Sequence, residues 1–237
     1  MKPILVVILA TLGTVRGGQI TLGQNSILNP GAELGLGSGN GNDIEVVPDW
    51  TVTQGNFTVV AYGSANSEIN TAPGPDFGNN FFAGGPNSPL SSATQLLDVS
   101  NVSALIDAGL VNYTFSGYFG GYLTQADYAT LSATFLDGSS DVLGVVTIGG
   151  NNETARNGQT ELLYAGTTGM IPDGTESILF TLTMTREEGN YNDGYADNLS
   201  FVAVDPPAGG ATTPEPSAWM LTGLGCGALL WARRGRR

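Results

Sequence analysis

Regular alternation of apolar and polar side chains is the feature that most constrains how this chain can fold. In segments 129–135 and 178–184 an apolar residue occupies every second position. These residues are Ala129, Leu131, Ala133 and Phe135 in the first segment, and Ile178, Phe180, Leu182 and Met184 in the second. A period of two places successive side chains on opposite faces of a strand, so one face is buried and the other is wet. This pattern is typical of antiparallel sheets.

Similar strand-like runs recur along the chain, with turn residues between them. The dipeptides Asp137-Gly138 and Asp193-Gly194 are turn signals between apolar runs. The predicted strands cover residues 50–53, 57–62, 94–99, 110–119, 128–135, 142–148, 161–165, 177–185 and 198–204. Residues 103–108 are compatible with one helical turn, whereas segment 73–86 is too rich in proline and glycine for a regular element. Together these features predict an all-β fold, an antiparallel β-sandwich of the jelly-roll type.

Charge and composition exclude several classes of function. Residues 18–216 contain two basic and 21 acidic residues, a net charge of −19 that repels nucleic acid and favours divalent cations. The chain has no histidine, and this region has no lysine, so histidine-based triads and lysine Schiff bases are excluded. The single cysteine, Cys226, lies near the C-terminus, so we expect no disulfide in the domain.

An enzymatic function has little support in the sequence. A glycosidase needs two carboxylates at a fixed separation, one of them with a raised pKa. Twenty-one acidic residues permit many pairs, and no segment singles one out. We therefore expect a protein that is not an enzyme.

Both ends of the chain have the features of targeting segments. Lys2 is followed by the apolar run 4–12 and then by small and polar residues, so residues 1–17 are predicted to be a secretory signal peptide. Residues 18–204 would form the domain and 205–213 a Pro/Gly linker. The apolar segment 218–232 predicts a short hydrophobic helix of about 22 Å, less than the roughly 30 Å of a bilayer core.

The C-terminal order of polar motif, apolar segment and basic end resembles the PEP-CTERM sorting signal of Gram-negative bacteria. The motif residues are Pro214, Glu215 and Pro216, and the basic end contains Arg233, Arg234, Arg236 and Arg237. The resemblance implies that an exosortase recognises the motif and removes the tail. It also implies an exported protein, held transiently in the inner membrane and then located at the cell surface or in the extracellular matrix. An ordinary C-terminal membrane anchor is the alternative.

The start and end of the domain resemble galactose-binding-domain-like jelly rolls, a group that includes many carbohydrate-binding modules. The resemblance rests on the early motif Asn29-Pro30-Gly31-Ala32-Glu33 with Trp50 after it, and on the closing segment 191–201. It implies that the first and last strands are neighbours joined by a structural Ca²⁺, with Glu33 and Asp197 as side-chain ligands. Alternatively, Asp197 is a turn or ladder residue and Glu33 is solvated.

Two aromatic segments are candidates for ligand binding. Segments 73–86 and 118–122 combine aromatic rings with amides and glycines, a mixture that suits sugar rings and their hydroxyl groups. The candidate residues are Phe77, Asn80, Phe81, Phe82, Tyr118 and Tyr122. The alternative is that Phe81 and Phe82 fill the core. We therefore expect a non-catalytic domain that binds glycan or exopolysaccharide. The alternatives are an adhesive matrix protein with a protein partner and, less favoured, a glycoside hydrolase.

Overall fold

The computed structural model describes residues 16–64 and 75–205. The strands in this part are β1 (Arg16–Gln19), β2 (Thr51–Gln54), β3 (Thr58–Ala61), β4 (Asn80–Pro86), β5 (Leu90–Asp98), β6 (Asn112–Gly121), β7 (Tyr128–Leu136), β8 (Val142–Gly149), β9 (Glu161–Met170), β10 (Ser177–Thr185) and β11 (Tyr191–Val204). A five-residue helix, α1 (Ser103–Asp107), precedes β6. Among the described residues no helix has the length and apolar character needed to cross a membrane. The predicted sorting signal and residues 1–15 of the predicted signal peptide lie outside the described residues.

The strands form two sheets with a common core between them. The first sheet has the order β1-β5-β10-β7-β8, with β2 also paired to β5, and the second has the order β3-β4-β11-β6-β9. The β1–β5 pair is parallel, and the other strand pairs are antiparallel. The orders β5-β10-β7-β8 and β4-β11-β6-β9 are those of an eight-stranded jelly roll. The predicted β-sandwich is confirmed.

The alternation in the sequence supplies much of the core. All eight alternating apolar residues of β7 and β10 are buried. In the β7–β10 pair Leu131 lies opposite Leu182 and Ala133 lies opposite Phe180, so the same face of both strands is turned inward. Phe180 then meets Phe201 of the second sheet, with ring centroids 5.2 Å apart. The two inner faces are therefore packed directly against each other.

One predicted loop is a strand. The prediction of irregular structure for 73–86 is wrong for Asn80–Pro86, which forms β4. Its glycines are needed because neighbouring strands come very close. A Cβ at Gly84 would lie 2.2 Å from the side chain of Asn192, and one at Gly85 would lie 2.1 Å from the carbonyl oxygen of Asn56. Here glycine permits close approach inside a sheet, a use that the sequence does not distinguish from a turn.

The last strand is longer than predicted and has a bulge. β11 begins at Tyr191, and its register with β6 shifts between Asp197 and Ser200, where Asn198 has a φ of 47°. Beyond the bulge, residues near the start of the domain run along the free side of β11. The Ser26 amide donates to the Phe201 carbonyl at 2.9 Å. The bulge therefore lets β11 pair with β4 on one half and with this early segment on the other.

A buried arginine joins two loops at one end of the sandwich. Arg156 is fully buried, and its guanidinium donates to backbone carbonyls. The acceptors are Asn151, Leu123, Gln159, Gln125 and Asp127, at 2.7 to 3.5 Å. The Asp127 carboxylate in turn accepts from the amides of Glu187, Glu188 and Asp193 at 2.7 to 3.0 Å. Arg156 and Asp127 thus tie the β6–β7, β8–β9 and β10–β11 connections together.

Candidate functional site

The side of the second sheet that faces away from the first has an apolar cluster of its own. We call this side the outer face. The buried members of the cluster are Val60, Phe77, Phe81, Ala83, Leu162 and Tyr195, with Tyr62, Tyr118, Tyr122 and Tyr191 packed partly exposed around them. A sheet face left to solvent in a sandwich is usually polar. The partly exposed tyrosines around this buried cluster therefore mark the outer face as the candidate site.

Strand register aligns a row of side chains across this face. Val60 of β3 lies opposite Phe81 of β4, Asp197 of β11 lies opposite Tyr118 of β6, and Tyr118 lies opposite Tyr164 of β9. Directly opposed residues on one face have Cβ atoms about 5 Å apart. The side chains therefore form a row across the sheet in which one carboxylate is flanked by aromatic rings, and its β3, β4 and β11 members are buried.

The accessible end of the row is an aromatic surface that we call the tyrosine platform, formed by Tyr118 and Tyr164, with the buried Phe77 ring packed against Tyr118. The ring centroids of Phe77 and Tyr118 are 4.7 Å apart, and those of Tyr118 and Tyr164 are 5.5 Å apart, both in edge-to-face contact. Tyr164 is 62% exposed although its neighbours are half-buried or buried. An aromatic ring fixed by neighbours and open to solvent is suited to stack on another flat apolar surface.

Gly166 gives the Tyr164 ring its position. A Cβ at Gly166 would lie 2.6 Å from the Tyr164 hydroxyl oxygen and 3.0 Å from Cζ of the same ring. Tyr164 and Gly166 point to the same face because they are two residues apart on β9. The phenol ring therefore extends along the strand into the space that a side chain at position 166 would fill.

Two buried carboxylates accept hydrogen bonds from tyrosine hydroxyls of the outer-face cluster. Tyr62 donates its hydroxyl to Asp197 Oδ2 at 2.6 Å, and Tyr195 donates its hydroxyl to Asp193 Oδ1. Asp197 is fully buried and also accepts from the Asn198 amide at 2.6 Å. Burial raises the pKa of Asp197 to about 8, although the hydrogen bonds from Tyr62 and Asn198 act in the opposite direction. Burial also raises the pKa of Tyr62 and Tyr195 above that of a free phenol.

The structure brings together the two residues predicted to bind calcium. A Cβ placed on Gly31 would lie 3.2 Å from Asp197 Oδ1 and 3.9 Å from Glu33 Cγ, so both side chains approach the same point. Glu33 Oε1 accepts from the amides of Asn79 and Asn80, each at 2.8 Å. Among the described residues no group of three or more His, Cys, Asp or Glu side chains could hold a metal ion.

The residues predicted to bind ligand divide between two environments. Phe77, Tyr118 and Tyr122 belong to the outer-face cluster, and Phe81 lies beneath it, buried against Tyr62 and Tyr195. Phe82 points the other way, into the core between the sheets, where it packs on Trp50 and Phe57. Asn80 is buried, and its side-chain amide donates to the Ala32 carbonyl at 3.2 Å. Phe82 and Asn80 are therefore not exposed on the outer face.

The prediction from sequence did not include Tyr164, which is the most exposed ring of the platform. It also left out Tyr62, Asp193 and Tyr195. The signal for the last two was present, since Tyr191, Asp193, Tyr195 and Asp197 occupy every second position of one segment. A period of two places these side chains on the same face of a strand.

Comparison with known proteins finds similar structures but no match in sequence. No protein-family model matches the sequence, and no curated protein matches it. A Stig cyclase from Fischerella sp. TAU, solved with an indole compound, has a TM-score of 0.50 and 15% identity, covering 76% of this chain and 97% of the cyclase. TmCBM61, solved with β-1,4-galactotriose, has a TM-score of 0.41 and 16% identity, covering 77% of this chain and 99% of that module.

A third similar structure is the enzymatically active domain of tailspike protein 4 from bacteriophage CBA120. Its TM-score is 0.43 with 17% identity, and the match covers 76% of this chain. This chain spans only 21% of the length of that tailspike chain. At 15% identity the likeness to the cyclase shows a shared fold alone, and a shared fold does not specify a function.

Proposed function

We propose that the domain is a non-catalytic module that binds a glycan or exopolysaccharide on the tyrosine platform. The observation that carries the proposal is the Tyr164 ring, which is 62% exposed and lies along β9 over Gly166. The axial hydrogens of a sugar ring form a flat apolar face that stacks on such a ring. The half-buried Tyr118 ring extends the surface from β9 to β6, and the buried Phe77 ring packs against it.

The two buried acids of the outer face, Asp193 and Asp197, are assigned to support and not to catalysis. Asp193 and Asp197 are buried, and each accepts a hydrogen bond from a tyrosine of the cluster. A glycosidase places its two carboxylates on either side of an accessible glycosidic bond. Because these two carboxylates accept hydrogen bonds from tyrosine hydroxyls inside the protein, we assign them no role in cleaving a glycan.

Replacing Tyr164 with alanine is expected to weaken glycan binding by about 2 kcal/mol, or about thirtyfold, because a central aromatic contact is lost. Binding is measured by titration calorimetry with the glycan that gives the strongest signal on an array. Met170→Ala is the matched control, since Met170 is a large apolar residue on the same strand and is 55% exposed. Equal affinity of wild type and Tyr164→Ala would contradict the proposal, and self-association without glycan binding would support the adhesive-protein alternative.

Threonine in place of Gly166 gives a second test that leaves Tyr164 in the chain. Its Cβ would occupy the space now filled by the end of the Tyr164 side chain, so the ring must leave its position. Threonine suits an exposed strand position, and we expect stability to change by less than about 1 kcal/mol. Affinity should fall nearly as far as in Tyr164→Ala. Unchanged binding, with folding confirmed by circular dichroism, would show that the ring position is unimportant.

We also propose that the protein is exported and processed at its C-terminus by an exosortase. The proposal is supported by the order of the PEP motif, apolar segment and arginines in 214–237. Expression in a host with and without an exosortase, followed by intact mass spectrometry, tests it. We expect loss of the tail only when the exosortase is present and Glu215 is intact. The same full-length mass in both hosts would instead support a permanent membrane anchor.

Glu33 and Asp197 are further proposed to hold a structural Ca²⁺. The Asp197 carboxylate and the Glu33 side chain both approach Gly31, where no Cβ lies between them, and Ca²⁺ prefers oxygen ligands. Backbone carbonyls would complete the ligand shell. Calcium at about 100 times its dissociation constant should stabilise the domain by about 2.7 kcal/mol, which raises the melting temperature by about 5–10 °C. A melting temperature that is the same in calcium and in chelator would remove the ion from the proposal.

A further inference from the structure

We infer that the tyrosine platform prefers glycans with free amino groups and rejects those that carry carboxylate, sulfate or phosphate groups. This inference rests on the proposed glycan function and assigns the class of ligand to that same site. It comes from the distribution of charge around the platform, where exposed acids lie on one side and no described arginine side chain is adjacent.

The structure describes the side chains of two basic residues, Arg156 and Arg186, and both bind backbone carbonyls. Arg16 has its backbone in β1, at the edge of the first sheet. Arg156 is fully buried and bound to carbonyls. Arg186 lies at the end of β10, and its guanidinium donates to the Asn190 carbonyl at 3.0 Å. Arg186 is half-exposed, but Asn190 is seven residues from Asp197, the partner of Tyr118, which is about 20 Å along an extended chain. Arginine and lysine are the side chains that recognise anionic ligand groups, so an acidic sugar would find no described counter-charge beside the platform.

Acidic groups lie at the side of the platform next to Phe77. Asp76 immediately precedes Phe77 and is exposed. Glu33 is exposed as well, and its carboxylate packs against Gly78, where an added Cβ would lie 2.4 Å from Glu33 Cδ. The Phe77 ring between them contacts Tyr118. A sugar stacked on the platform therefore has carboxylates near it on the Phe77 side.

The expected size of the preference follows from Coulomb's law. Opposite charges about 8 Å apart attract strongly enough to change an affinity about twofold in bulk water, and about thirtyfold at the lower effective permittivity near a protein surface. The net charge of −19 in residues 18–216 adds a long-range term of the same sign. We therefore expect a preference of about tenfold for an amino-sugar chain over a neutral chain of the same linkage at low salt, with acidic chains weaker still.

The test uses sets of oligosaccharides that share one linkage and differ in charge. For a β-1,4-linked backbone these are hexamers of glucosamine, glucose and glucuronic acid, with equivalent sets for other linkages on the same array. Binding is measured at pH 6 in about 50 mM and about 500 mM salt. We expect the order amino, neutral, acidic, with differences that shrink at high salt. Neutral or acidic chains that bind as tightly as amino chains would overturn the inference and leave the proposed function standing. Absence of binding to every set would overturn the proposed function as well.

Charge-removing variants test whether the preference arises at the platform. In calcium-free buffer, where no bound ion offsets the charge of Glu33, Asp76→Asn and Glu33→Gln should each lower the ratio of amino to neutral affinity by about threefold. The two variants are made separately because Glu33 also accepts hydrogen bonds from the backbone amides of Asn79 and Asn80, so Glu33→Gln alters a structural contact as well as a charge. Asp173→Asn is the matched control, since it removes one exposed charge from the turn between β9 and β10 and should not change the ratio. If the ratio of amino to neutral affinity were the same in wild type and in all three variants, the preference would not arise from the acids beside the platform.

Discussion

Replacing Arg156 with methionine is expected to lower the free energy of unfolding by about 3–5 kcal/mol, measured by urea denaturation at neutral pH. Methionine retains most of the apolar volume of the side chain but none of its donors. The carbonyl oxygens of Leu123, Gln125 and Gln159 would each lose a hydrogen bond of 2.7 to 2.9 Å inside the protein. An unsatisfied buried polar group costs about 1–3 kcal/mol, and the neighbouring losses are not independent.

The geometry of Arg156 explains why this effect should be large. A guanidinium has five N–H donors in one plane, and the carbonyls of two loops meet it from several directions. Burial lowers the pKa of Arg156, but the intrinsic value is so high that the group stays charged. Arg186→Met is the control, because Arg186 is less buried and its guanidinium donates to one loop carbonyl. We expect it to cost less than about 1 kcal/mol. A similar loss of unfolding free energy in both variants would show that Arg156 stabilises the fold no more than Arg186 does.

The fold could be predicted from the sequence because the information is local. The alternation in 129–135 and 178–184 fixes which side of each strand is buried, whatever strand lies next to it. The register that builds the site is not local. Tyr118 and Tyr164 are neighbours only because β6 and β9 pair, and nothing in either segment indicates the other. Phe81 and Phe82 show a second limit. Treated as a loop, both are ligand candidates, whereas in a strand adjacent side chains point to opposite faces.

The buried polar groups were the least predictable part. Arg156 lies in a segment of Asn, Glu, Thr and Gly that gives no sign of burial. Its role depends on the backbone of another loop, brought close by the pairing of other strands. Asp197 was proposed from resemblance as a calcium ligand. Its burial and its bond to Tyr62, 135 residues away in the sequence, follow only from the pairing of β4 with both β3 and β11.

In calcium-free buffer, wild type is expected to lose about 4 kcal/mol of stability relative to Asp197→Asn between about pH 5 and pH 8. Burial raises the pKa of Asp197 to about 8 in the folded protein, whereas an unfolded aspartate has a pKa of about 3.9. The folded state therefore holds a proton that the unfolded state has released. Its stabilising contribution is complete below about pH 4 and is lost as the pH rises through about 8.

Asparagine is a close test because it has the shape of aspartate without the charge. The Tyr62 hydroxyl can accept a hydrogen bond from the new amide, and the amide oxygen can accept from Asn198, so both contacts are retained. Urea unfolding across the pH range gives the difference, and Asp173→Asn should show none. A constant difference between wild type and Asp197→Asn would contradict the raised pKa. Calcium should reduce the loss in wild type if the ion binds beside Gly31, because it stabilises the ionised carboxylate. Asp197→Asn should not respond to calcium in this way, and that contrast separates a metal ligand from a carboxyl group that is simply buried.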